Sequence, residues 1–161
     1  MLEQYFSQLI KEELRHEPTP SQARAIRLLS RFQLTPCANA LVILRGYAGT
    51  GKTSLVAALV RVLKKLQRPV VLLAPTGRAA KRMTELCGRE SKTIHRLLEV
   101  EWGENDKRSF GRNEKNPLDC DCLIVDEASM IDALLFSDLL KALRSSTRII
   151  IVGDSDQLPS I

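Results

Sequence analysis

The stretch Leu41-Val42-Ile43-Leu44-Arg45-Gly46-Tyr47-Ala48-Gly49-Thr50-Gly51-Lys52-Thr53-Ser54 decides how the rest of this chain is read. The apolar run at 41–44 has the pattern of a strand buried on both faces. A glycine-rich turn follows. From about Lys52, the apolar residues Leu55, Leu59, Val62, Leu63 and Leu66 recur at helical spacing. Between the two elements, residues 46–53 fit G-x-x-x-x-G-K-[ST]. The glycines let backbone N–H groups turn inward around phosphates, and the helix N-terminus adds positive potential. Lys52 is placed to reach β- and γ-phosphates, and Thr53 to offer its hydroxyl to Mg²⁺. A chance glycine-rich turn would not need a strand before it and a helix after it. Gly46, Gly49, Thr50, Gly51, Lys52, Thr53 and Ser54 are therefore candidate nucleotide-binding residues.

Outward from this stretch the period keeps changing. Upstream, Leu2, Tyr5, Phe6, Leu9, Ile10 and Leu14 fall on one helical face. Thr19-Pro20 then supplies a cap and a first-turn proline for a second helix, with Ala25, Ile26, Leu29 and Phe32 inward. Downstream, short apolar runs at 70–73, 123–125 and 149–152 read as strands. Residues 79–86, 93–100 and 131–143 read as helices, and Gly88 can stop the first of these. Strands alternating with helices predict a parallel sheet covered on both faces, with ligands at the carboxyl edge of the strands. Residues 101–118 interrupt the rhythm as a polar insert, either a surface loop or a projecting ribbon. Gly111 and the run from Asn113 to Asn116 permit a hairpin there.

The third apolar run ends in Asp126-Glu127. An Asp at a strand end can hold Mg²⁺, and a neighbouring Glu is suited to orient and deprotonate an attacking water. Taken alone, two carboxylates could equally cap the helix that follows. The phosphate loop upstream favours the metal and water roles.

Charge is unevenly placed. From Arg45 to Arg96 there are twelve Lys and Arg against two acids, Glu85 and Glu90, while the remainder of the chain is net acidic. Concentrated positive charge suggests a polyanionic partner. Arg61, Lys64, Lys65 and Arg68 could instead be a solvated helix face. No apolar stretch approaches the roughly 20 residues of a membrane span, and Met1 to Leu14 is too charged for a secretory signal. Cys37, Cys87, Cys120 and Cys122 form no C-x-x-C pair. Reduced thiols in a cytoplasmic protein are the expectation, with a zinc site or disulfide as the alternative.

Five blocks together resemble the first motor domain of superfamily I helicases of the RecD-like type, which includes exodeoxyribonuclease V alpha-subunit-like proteins. The phosphate loop is one. Leu72-Leu73-Ala74-Pro75-Thr76-Gly77-Arg78-Ala79-Ala80 is similar to motif Ia, and Thr93-Ile94-His95-Arg96-Leu97-Leu98 to motif Ib. Ile124-Val125-Asp126-Glu127-Ala128-Ser129-Met130-Ile131-Asp132 is similar to motif II, and Val152-Gly153-Asp154-Ser155-Asp156-Gln157-Leu158-Pro159 to motif III. Thr19-Pro20-Ser21-Gln22 resembles the Q motif. The resemblance implies an α/β fold, a P-loop NTPase (RecA-like) three-layer αβα sandwich with a mainly parallel sheet. It would be preceded by a helical segment at about 1–35.

The resemblance also implies roles. Lys52, Glu127 and Gln157 would be catalytic, Gln157 by contacting the γ-phosphate. Gln22 would read adenine, and Thr53 and Asp126 would hold Mg²⁺. Pro75, Thr76, Gly77 and Arg78 would grip a DNA backbone, extended by Thr93 and His95, although His95 could equally be a core histidine. Gln22 could be a helix-surface glutamine, and Lys81, Arg82 and Arg96 could line the groove or be solvated. Trp102 and Phe110 could stack on a base or pack the insert against the domain. ATP and Mg²⁺ are the implied cofactors. Single-stranded DNA, a second motor domain and subunits of a helicase–nuclease complex are the implied partners. The blocks end near the last residue, so the second domain, with its catalytic arginines, is expected to be missing. This chain would then bind nucleotide with little turnover, while a longer parent couples hydrolysis to 5′-to-3′ translocation and unwinding. A nucleotide-switched DNA-binding module is the alternative, and a small P-loop kinase a weaker one.

Overall fold

A computed structural model of the chain describes residues 1–46, 49, 51–102 and 108–154, with 100–102 and 108–109 described as backbone. The helices α1 (Leu2–Glu13) and α2 (Pro20–Leu34) precede strand β1 (Leu41–Gly46) and helix α3 (Lys52–Lys65). Then come β2 (Val70–Ala74), α4 (Gly77–Cys87), β3 (Ser91–Thr93) and α5 (Ile94–Leu97). The strands β4 (Val100–Trp102) and β5 (Arg108–Phe110) lead to β6 (Cys122–Val125), α6 (Ala133–Lys141) and β7 (Arg148–Asp154).

The main sheet runs β1-β7-β6-β2-β3, and every pairing in it is parallel. Alternate residues of each strand face opposite layers. Val70, Leu72, Cys122, Ile124, Ile150 and Val152 join a core with α1, α2 and α3. Leu73, Leu123 and Val125 join a second core with α5 and α6. The result is the expected three-layer αβα sandwich. The helix α3 is its central post: Leu55 to Val60, Val62 and Leu63 are all buried, each of the larger side chains contributing about 1.5–3 kcal/mol relative to exposure.

The amino-terminal helices belong to the first core. Ser7 Oγ donates to Ser30 Oγ at 2.8 Å, and Glu13 pairs with both Arg61 and Lys65 of α3. These bonds, led by that from Lys65, hold the Glu13 carboxyl below its ordinary range. Arg68 lies 3.8 Å from Asp121. Most of the basic cluster at 61–68 therefore faces acids within the domain. Leu2 and Tyr5, expected inward, are exposed, as is Leu66 at the end of α3.

Three sequence expectations need correction. The strand β1 is not buried on both faces: it is the edge strand, and Leu41 and Ile43 are 44% and 56% exposed. The helix expected over 93–100 is reduced to α5, because Ser91–Thr93 pairs with β2 as a strand and Glu99 adopts a left-handed φ of 55°. The insert pairs β4 with β5 as an antiparallel ribbon, not through the expected hairpin around Gly111 to Asn116; residues 103–107 lie outside the described set. Asn113 and Asn116 form a separate small turn, bonding backbone to backbone. Phe110 packs against the second core, so for Phe110 the packing alternative holds; the side chain of Trp102 lies outside the described residues.

Candidate nucleotide site and adjoining nucleic-acid face

The described segments that follow β1, β2, β3 and β6 leave the carboxyl edge of the sheet. At the end of β1 the chain turns through Gly49 and Gly51, whose φ angles of 78° and 81° suit glycine and no ordinary residue. A Cβ on Gly51 would also collide with Nε2 of Gln22. The turn opens α3 directly, so the positive end of the helix borders the loop. Lys52 Nζ donates to Gly46 O at 2.7 Å, so the ammonium folds back over the loop. Tyr47, Ala48 and Thr50 lie outside the described residues.

A cavity of about 610 Å³ opens at this loop. Gly49, Gly51, Lys52, Thr53 and Ser54 line it, together with Asp126, Glu127, Gly153 and Asp154. The parallel pairing of β1, β7 and β6 brings these ends together from distant parts of the chain. Asp126 is 8% exposed, and its N–H donates to Leu73 O at 2.9 Å, extending the ladder past β6. Burial pushes its carboxyl above the ordinary value, partly offset by a hydrogen bond from the backbone of Glu127. The Asp126 carboxylate and the Thr53 hydroxyl, around one cavity, are oxygen donors of the kind a hard divalent cation takes, while the Lys52 ammonium beside them suits an anion. Glu127 has left-handed angles, φ 50° and ψ 42°, uncommon for any residue but glycine. That conformation ends the strand, starts a short 3₁₀ turn at Ala128–Met130 and leaves the helix cap to Asp132, which accepts from Leu135 N at 2.8 Å. Capping therefore does not explain Asp126 and Glu127.

Gln22 is 5% exposed, which excludes the helix-surface reading. Its backbone N–H donates to Thr19 Oγ1 and its Oε1 accepts from Thr19 N, a complete capping box. Its Nε2 donates to Gly51 O at 3.5 Å, so the same carboxamide touches the phosphate loop. A second cavity of about 260 Å³ lies beside it, walled by Ala25, Leu44, Arg45 and Leu55.

The motif Ia and Ib blocks meet on the neighbouring part of the edge. Ala74 pairs with Thr93, which sets Thr93 beside the turn at Pro75 and Thr76. Thr76 caps α4, accepting from Ala79 N at 3.2 Å, and Thr93 caps α5, accepting from Arg96 N at 3.3 Å. Gly77 and Arg78 are exposed on the first turn of α4, with Lys81 and Arg82 following. His95 is exposed on α5, so it is not a core histidine. Gln157 lies outside the described residues.

Two site residues carry no clear mark in the sequence. Asp154, at the end of β7, lines the phosphate-loop cavity; its position at a strand end inside the motif III block is the available signal. Arg82, which the sequence leaves between groove and solvent, donates through Nη2 to Glu127 Oε1 at 2.8 Å. No sequence pattern links positions 45 residues apart. The cysteines take no part. Cys87, Cys120 and Cys122 are buried, with thiols pushed up to about 11, 11 and 12 by burial. Among the described residues no cluster of His, Cys, Asp and Glu could hold a metal by itself, and no helix is long and apolar enough to cross a membrane.

Comparison with known proteins gives a consistent answer. Residues 33–161 match the model of a family described as AAA domain. The chain is 41% identical over 121 residues to the ATP-dependent RecD2 DNA helicase of Deinococcus radiodurans, covering 75% of this chain and 16% of that protein. It is 35% identical over 144 residues to the RecBCD enzyme subunit RecD of Mycolicibacterium smegmatis, covering 75% of this chain and 26% of that subunit. A crystal structure of Bacteroides sp Pif1 in complex with ADP-AlF4 superposes with a TM-score of 0.63 at 22% identity, over 91% of this chain and 34% of that one. The chain thus spans about a sixth to a quarter of the length of these two curated relatives. This chain belongs to the AAA domain family, and its motifs and relatives place it with the first motor domains of RecD-like helicases.

Proposed function

We propose that this chain is the nucleotide-binding half of a RecD-like DNA helicase motor, holding Mg-ATP at the phosphate loop and single-stranded DNA along the amino-terminal turn of α4. The observation that carries the reading is the convergence of Lys52, Thr53, Asp126 and Glu127 on one cavity at the carboxyl edge of the sheet. The loop glycines and the α3 N-terminus would cradle the phosphates, with Lys52 on the β- and γ-oxygens. Thr53 and Asp126 would hold Mg²⁺, which supplies charge neutralisation on those oxygens when bound. Glu127 would orient the attacking water, and Gln157 would report on the γ-phosphate. Gln22, with the small apolar cavity beside it, would take the adenine edge, since a carboxamide both donates and accepts.

On the neighbouring face, Thr76, Gly77 and Arg78 offer a hydroxyl, backbone N–H groups and a guanidinium, the groups that hold a phosphodiester backbone. The relatives are named as DNA helicases and as a subunit of the RecBCD enzyme. Translocation, unwinding and contacts to further subunits are accordingly assigned to a longer parent, and slow turnover to this chain alone.

The nucleic-acid half of the proposal is tested by Arg78→Ala. It should weaken binding of a labelled single-stranded oligonucleotide several-fold and leave nucleotide affinity unchanged. Wild-type oligonucleotide affinity should fall steeply with added salt. An unchanged oligonucleotide affinity in the variant would remove the α4 turn from the DNA face.

A further inference from the structure

Arg82 stands between the two candidate sites. It leaves α4 four residues after Arg78, so both guanidiniums emerge from one face of the helix. A cavity of about 500 Å³ lies against that face, lined by Thr76, Arg78, Lys81, Arg82 and two acids, Glu85 and Glu127. Arg82 and Glu127 also line the cavity at the phosphate loop. One ion pair, 2.8 Å long, is therefore part of both walls.

The two ends of the pair differ. The Arg82 side chain is 59% exposed and that of Glu127 21%. The guanidinium is the end a ligand can reach, and the carboxylate is the sheltered end. An ion pair this open to water is held weakly. A phosphodiester offers the guanidinium an acceptor of the same charge and a matching fork of oxygens. A strand lying along Arg78 and Lys81 would bring such an acceptor within reach.

We propose that Arg82 is a positioning residue that couples strand binding to hydrolysis, holding Glu127 through Oε1 while the face of α4 is bare and releasing it when a phosphate of the bound strand takes the guanidinium. The inference rests on the reading of α4 as the DNA face and of Glu127 as the carboxylate that orients water. Coupling of this kind is reciprocal. If the strand must take Arg82 from Glu127, then weakening the hold of Glu127 must tighten strand binding, and only where Arg82 is present.

A double-mutant cycle on the whole chain tests this without requiring turnover. The affinity for a fluorescein-labelled oligo-dT is measured by anisotropy for wild type, Glu127→Gln, Arg82→Ala and the double variant. Glu127→Gln should tighten binding about fivefold in the wild-type background and less than about twofold beside Arg82→Ala. Arg82→Gln, which keeps the apolar stem, gives the same cycle should Arg82→Ala fail to fold. Equal tightening in both backgrounds would mean that only the loss of a negative charge is felt, and would overturn the latch while leaving the DNA face intact. No oligo-dT binding by the wild type would overturn the DNA reading of α4, and the latch with it.

Discussion

The strands β1 and β6 carry the two halves of the proposed nucleotide site, yet they are held in opposite ways. The strand β6 sits between β2 and β7 with all four residues buried. At the far side of β7, β1 is an edge strand with Val42 and Leu44 packed inward and Leu41 and Ile43 open. The carboxylates Asp126 and Glu127 thus hang from the most constrained strand of the sheet. The phosphate loop hangs from a strand with one open side and takes its rigidity from the helices around it. Lys52 and Thr53 begin α3, which the first core encloses, and Gln22 of α2 leans on Gly51. The difference teaches that the Asp126–Glu127 side of the proposed site is fixed by the sheet, and the Lys52–Thr53 side by helices.

The contrast is sharpest in stability. Truncating Ile124 of β6 to Ala should cost about 2–5 kcal/mol, as buried large-to-small changes do. Ile43→Ala on β1 should cost less than about 1 kcal/mol, the usual scale of an exposed position. Urea unfolding of the two variants measures this directly, and equal losses would mean that the outer face of β1 is packed in solution. A second pressure point is Gly51. Gly51→Ala forces a side chain into a positive-φ position and against Gln22, so about 1–3 kcal/mol of strain is expected. The loop's dependence on α2 would be refuted by a variant that keeps both its melting temperature and its nucleotide affinity.

The smallest expected effect has a sign that runs against intuition. Asp126→Asn removes a charge that burial disfavours, so in the absence of Mg²⁺ the variant should unfold at slightly higher urea than wild type at neutral pH. A carboxyl whose folded pKa is raised weakens the fold when ionised, and that penalty lifts as pH falls toward the raised pKa. The advantage of the variant should therefore shrink on acidification. With Mg-nucleotide present the order should reverse, because Asp126 is proposed to hold the metal. A variant less stable at neutral pH without metal would mean that the buried carboxylate is held by more than the contacts described.

How far the sequence reveals this molecule depends on what each residue's signal encodes. The turn glycines Gly49 and Gly51, the strand before Asp126 and the helix starts at Pro20 and Lys52 are local patterns, and the structure keeps them. The edge position of β1 is not local. An apolar run looks the same whether a strand has one neighbour or two, and only the pairing order separates the cases. The strand β3 is hidden in the sequence because Ser91-Lys92-Thr93 is short and polar and gains its place by pairing with β2. The shortness of α5 depends on the left-handed turn at Glu99, whose carbonyl accepts from Gly111 N at 3.2 Å. Gln22 is legible as a candidate, but its burial and its contact with Gly51 come from the approach of α2 to the loop. The Arg82–Glu127 pair is invisible for the same reason: it joins two motifs that the sequence keeps apart.

The central claim is that one edge of this sheet is a Mg-ATP site organised by Lys52. The direct measurement is titration of a fluorescent ATP analogue into wild type and Lys52→Ala, with and without Mg²⁺. The account predicts saturable, Mg-dependent binding by wild type and an affinity about 10- to 100-fold lower in the variant, the loss of a charged hydrogen bond worth about 1.5–3 kcal/mol. Equal affinities in wild type and variant would contradict it.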